Sequence, residues 1–81
     1  MKIIWRRKED ESISGSGNFY LIHYIIRQDI MKHYIPAIEV VSAKGTNVVW
    51  IGLTQITEYD AKDLCQRFEN ALTIGVKFKG A

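Results

Sequence analysis

The hydrophobic positions of this chain change their period once, and the change divides it into a strand-rich part and a helical part. From residue 57 to residue 72, Ala61, Leu64, Cys65, Phe68, Ala71 and Leu72 recur at spacings of three and four, which lays one apolar stripe along an amphipathic helix. Glu58, Lys62, Asp63, Gln66, Arg67, Glu69 and Asn70 fill the other positions. Thr57 stands where an N-cap belongs, and Asp60 occupies the place a capping box gives to Glu or Gln. Gly75 is a natural helix stop. Val76-Lys77-Phe78 then predicts a last short strand whose flanking lysines would protect an edge.

Upstream the period shortens to two. Residues 48–54 predict a strand with Val49, Ile51 and Leu53 on one face and Trp50 on the other. Gly52 within it suggests a bulge or a close backbone approach. Lys44-Gly45-Thr46-Asn47 joins this run to another Val-rich run at residues 34–43, which argues for an antiparallel hairpin. Pro36 cannot donate to a ladder, so it belongs at the strand start or on an edge. Residues 19–28 place Tyr20, Ile22, Tyr24 and Ile26 on one side and Phe19, Leu21, His23, Ile25 and Arg27 on the other, the pattern of a central strand. Phe19, Ile22, His23, Ile26 and Ile30 also fit helical spacing, so a helix is the alternative there. Residues 29–33 connect it to the hairpin. Ile3-Ile4-Trp5 opens a short strand within residues 2–8, and residues 9–18, rich in Gly and Ser, read as a mobile polar loop. Together these elements predict an α+β fold: a single domain over residues 1–81, with a small antiparallel sheet of three to five strands and one C-terminal amphipathic helix packed on one face. A lone helix covers only one face of a sheet. If Val49, Ile51 and Leu53 face it, Trp50 points outward, and large apolar groups on an uncovered face mark an interaction site.

Composition narrows the function classes. At 81 residues the chain is one domain that buries about 60% of its unfolded surface, and its 47% hydrophobic content is that of a globular protein. Eleven Lys and Arg against nine Asp and Glu leave a net charge of +2, too weak to imply nucleic acid by itself. The charge is uneven: Lys2, Arg6, Arg7 and Lys8 precede Glu9, Asp10 and Glu11, which reads as a solvated strand end with an acidic turn or, more sharply, as a phosphate-contacting edge. Cys65 is the one cysteine, so no internal disulfide forms, and a reducing, cytoplasmic setting is expected. Residues 1–8 lack the apolar segment of a signal peptide, and no run has the length of a membrane span.

No catalytic constellation is visible, so an enzyme is not expected. His23, His33 and Cys65 have no metal-binding spacing, and neither metal nor cofactor is predicted. Gly15-Ser16-Gly17 lacks the flanking pattern of a nucleophile elbow or a phosphate loop. Two readings of the aromatic and basic residues remain. In the first, Trp50, Trp5, Tyr20 and Tyr24 dock on a larger protein through the uncovered sheet face or an edge strand. In the second, Arg6, Arg7, Lys8, Arg27, Lys32 and Trp50 form an aromatic and basic surface for single- or double-stranded nucleic acid. A homodimer closed through the exposed face or its edges is compatible with either.

Residues 36–72 resemble the AP2-type DNA-binding domain, also found in phage integrase arm-binding modules. Ala37 and Glu39 in one strand, Val49-Trp50-Ile51-Gly52 in the next, and Thr57-Glu58-Tyr59-Asp60-Ala61 opening the helix carry the resemblance. It implies three antiparallel strands packed on one helix, with Trp50 at a DNA-contact position. Val41 and Val48 stand where that family would place arginines, and their loss removes the phosphate and guanine contacts that give affinity and specificity. The strand–Gly–Leu–Thr–helix junction is also similar to that of a transcriptional-coactivator type of single-strand binder. In size and character the chain resembles phage-encoded inhibitors such as anti-CRISPR and other anti-defence proteins. The expected function is therefore a small non-enzymatic inhibitor or adaptor that binds protein, with nucleic-acid binding as the alternative.

Overall fold

The computed structural model describes residues 2–80, with side chains described as far as residue 75. In these residues the chain forms five strands and one helix: β1 (Ile4–Arg7), β2 (Ile13–Ser16), β3 (Ile22–Gln28), β4 (Tyr34–Ser42), β5 (Gly45–Trp50) and α1 (Glu58–Gly80). The strands pair antiparallel in chain order, β1-β2-β3-β4-β5, as a meander. α1 lies across one face, over β3 and β4. The α+β architecture anticipated from periodicity is the one observed.

Register assigns each side chain to a face. Trp5 pairs with Gly15, Gly15 with Tyr24, Tyr24 with Ile38 and Ile38 with Val49, and this row faces the helix. The buried core consists of Ile3 just ahead of β1, Ile13, Tyr24, Ile26 and Ile38 from the sheet, and Ala61 and Cys65 from α1, flanked by half-buried Trp5, Ile22, Tyr34, Val40, Ile51 and Phe68. Trp5 and Phe68 both meet the Tyr24 ring edge to face at centroid distances of 6.4 Å, the arrangement favoured by aromatic quadrupoles. Thr57 caps the helix as expected, its Oγ1 accepting the Asp60 N–H at 3.1 Å.

The central strand read within residues 19–28 is observed at 22–28, and the helical alternative there is not adopted. Four features depart from the sequence reading. Residues 13–16, assigned to a polar loop, form β2. Its one large apolar residue, Ile13, is buried, and Gly15 admits the Trp5 ring: a Cβ there would stand 2.7 Å from Trp5 and from Ile3 Cγ2. The strand read over residues 48–54 instead ends at Trp50, within β5, so Leu53 does not join Val49 on the helix side. The hairpin turn is shorter than Lys44–Asn47: only residues 43–44 are turn, closed by a Ser42↔Gly45 pair in which Gly45 adopts φ +121°, a conformation that favours glycine. Finally, the helix runs through Gly75, so residues 76–78 are helical and not a sixth strand. Gly75 keeps a negative φ, and a helical glycine weakens a helix without ending it.

After β5 the chain stays beside β4 but loses register. Ile51 still donates its N–H to the Pro36 carbonyl at 3.3 Å, whereas Tyr34 exchanges two 2.7 Å hydrogen bonds with Gln55 where an unbroken ladder would bring residue 53. Two extra residues therefore bulge out. Gly52 is pressed against α1, where a Cβ would fall 2.4 Å from Leu64 Cδ2, and Leu53 is thrown into solvent. This is the close approach that Gly52 suggested.

Candidate docking face

The face opposite α1 has no second layer among the described residues. Two cross-strand rows cross its middle: Arg6–Ser14–Ile25–Ala37–Trp50 and Ile4–Ser16–His23–Glu39–Val48. Its centre is closed all the same, with Ile25 at 3% exposure and Ala37 at 0%. Apolar exposure increases toward the β5 border, where Trp50 is 58% exposed and Val48 is about half exposed beside it. Every residue of β5 is exposed, including Val49 on the helix side, because α1 lies over β3 and β4. A smaller apolar element, Ile4, lies at the opposite border.

The predicted site residues divide among three places. Trp50, Arg6 and Arg27 share the open face. Tyr20 is almost fully exposed in the turn that precedes β3. Tyr24 is fully buried in the core and Trp5 packs on it from the helix side, so neither belongs to the open face. That corrects the expectation of a shared aromatic surface, and the reason is parity: Trp5 and Tyr24 lie in one row facing α1, while Trp50 has the opposite phase. Arg7 also faces the helix. It donates to Glu58 Oε1 at 2.8 Å, and Lys62 approaches the other carboxylate oxygen at 2.9 Å. The hydrogen bond from Arg7, then that from Lys62, holds the Glu58 carboxyl below the usual range, while the same carboxylate raises the Arg7 pKa. Lys8 and Lys32 sit in the β1–β2 and β3–β4 connections, exposed at one end of the sheet. The six residues proposed for nucleic acid therefore do not form one surface.

Sequence reasoning missed a polar latch. Glu69, placed on the solvated side of α1, is fully buried. Its Oε1 accepts the Tyr24 hydroxyl and its Oε2 the Asn18 backbone N–H, both at 2.6 Å. Gly17 makes room for it, since a Cβ there would lie 2.4 Å from Oε2. Burial, reinforced by the bond to Glu69, drives the Tyr24 hydroxyl far above the ordinary tyrosine range. The signal was available: Ala61, Cys65 and Glu69 are four apart and so share a face. Cys65 on that face is buried, and its thiol pKa is pushed up to about 12, which keeps the nucleophilic thiolate scarce near neutral pH.

Among the described residues no group of three His, Cys, Asp or Glu side chains could hold a metal ion. No helix there is long and apolar enough to cross a membrane. No protein-family model, curated protein or solved structure matches this chain.

Proposed function

We propose that this chain is a protein-binding module, of the inhibitor or adaptor kind, that docks a larger protein through the open sheet face at its Trp50 border. One observation carries the reading: Trp50 stands more than half exposed beside Val48 on a face that α1 leaves uncovered. Tryptophan is among the residue types enriched at the hot spots that carry most of the binding energy of protein interfaces.

The distribution of charge favours protein over nucleic acid. Arg6 and Trp50 occupy opposite ends of one five-strand row, which at about 4.8 Å per strand separates them by roughly 19 Å. A stacking platform sets basic groups beside its aromatics, within reach of the same nucleotides. Val41 and Val48, where the AP2-type resemblance would require arginines, share the open face with Trp50. Glu39 lies between Val48 and His23 on that face, a poor neighbour for phosphate.

Anisotropy with labelled single- and double-stranded oligonucleotides, at low and physiological salt, separates the two readings. The docking reading expects no binding at either salt. It further expects affinity capture from the source cell to lose its partner with Trp50→Ala and to keep it with the Arg6→Ala/Arg27→Ala pair. Tight, salt-dependent oligonucleotide binding abolished by the arginine pair would replace this reading with the nucleic-acid one.

A further inference from the structure

We infer that β5 is a self-pairing edge, and that two copies of this chain join through it, antiparallel about a two-fold axis at Val48, into one continuous sheet of twice the width. Self-pairing does not depend on the docking reading, because it uses the backbone edge of β5 and not the open face.

The two edges of the sheet are built differently. β1 is four residues long and carries Arg6 and Arg7, with Lys8 next in the chain. Short length and charge are the usual means of keeping an edge unpaired. β5 has six residues, Gly45-Thr46-Asn47-Val48-Val49-Trp50, with no charge, no proline and an unbroken ladder to β4. Such an edge is a template for another strand.

The backbone hydrogen bonds specify which strand fits. Ile51 N–H points to β4, where it meets the Pro36 carbonyl. Backbone groups alternate in an antiparallel ladder, so Asn47 and Val49 also face β4, and Thr46, Val48 and Trp50 direct their N–H and C=O groups outward. These three positions are symmetric about Val48. In a two-fold antiparallel pair, Val48 meets Val48 of the second copy and Thr46 meets its Trp50, so each outward residue acquires a partner that also points outward. About six inter-chain hydrogen bonds result, two from each of three such pairs.

Charge and shape permit this closure. The paired segments carry no charged side chain, so no like charges are opposed along the seam. The flanking Lys44 residues lie eight positions apart, roughly 27 Å at about 3.4 Å per residue and well beyond the screening length of about 8 Å. α1 lies over β3 and β4, leaving the helix side of β5 clear. Pairing β5 with the arginine-bearing β1 of another copy would be head-to-tail and open-ended, whereas β5 on β5 closes on itself.

The test is sedimentation over about 1 to 200 µM, a range that spans the midpoint of a dimer with a Kd of some tens of micromolar. Wild type is expected to move from monomer to dimer mass. Val48→Pro removes an outward N–H and no bond to β4, a position at which a strand tolerates proline; it is expected to stay monomeric with an unchanged circular dichroism spectrum. Val48→Lys and Val48→Glu each oppose like charges at the axis and are expected to be monomeric alone, while their equimolar mixture dimerises. That rescue follows only if residue 48 faces itself, and it decides the matter should the proline variant fail to fold. Wild type remaining monomeric throughout, or dimerisation unaffected by either charge at residue 48, overturns the inference.

Discussion

Glu69 shows how a single side chain ties a helix to a connection distant in sequence. Its two oxygens accept from Tyr24 on β3 and from Asn18 ahead of it, so one residue fixes the axial position of α1 on the sheet. Unsatisfied buried donors cost about 1–3 kcal/mol each. Glu69→Leu strands both donors and is expected to lower unfolding stability by about 2–4 kcal/mol. Glu69→Gln can accept from Asn18 and donate to the Tyr24 oxygen, with an expected loss below about 1.5 kcal/mol. Urea titration monitored by tryptophan fluorescence measures both; equal losses would mean that the latch acts through packing and not through its hydrogen bonds.

At the level of elements, legibility followed hydrophobic pattern. β3, β4 and the start of α1 were readable because each carries enough apolar residues at one period to betray its face. β2 was not, because Ile13-Ser14-Gly15-Ser16 has one apolar side chain and owes its place to neighbours: Trp5 needs the room that Gly15 provides. Trp50 lies on the face away from Val49, as parity implies, while Tyr24 and Trp5, offered as surface, lie with the core because the register between strands sets them in the row that faces α1. Nothing in the local pattern reveals which of two apolar faces the helix will choose. Gly75 misled because the residue that commonly stops a helix is also tolerated within one. The two glycines should therefore respond oppositely to alanine. Gly15→Ala drives a Cβ into Trp5 and Ile3 and is expected to cost about 1–3 kcal/mol. Gly75→Ala meets nothing within 4 Å in a helix and is expected to gain about 0.5–1 kcal/mol. Thermal melts of the pair measure both signs; a destabilising Gly75→Ala would show that the helix does not continue through that position.

For the whole molecule, a meander in chain order has a consequence for how the chain reaches its structure. Each strand pairs with the one just made, so the sheet can grow through hairpin closures at little loop entropy. The contacts from α1 back to the start of the chain, Gln66 to Ile3 and Glu58 to Arg7, span 63 and 51 residues and close far longer loops than the hairpins do. Sheet assembly should therefore precede helix docking in the folding transition state. Weakening the β3–β4 ladder, for example by Ile25→Ala, is expected mainly to slow refolding, with a φ-value above about 0.5. Loosening the helix seam by Cys65→Ala is expected mainly to hasten unfolding, with φ below about 0.3. Stopped-flow chevrons measure both, and a reversed order would make the helix the nucleus on which the sheet condenses.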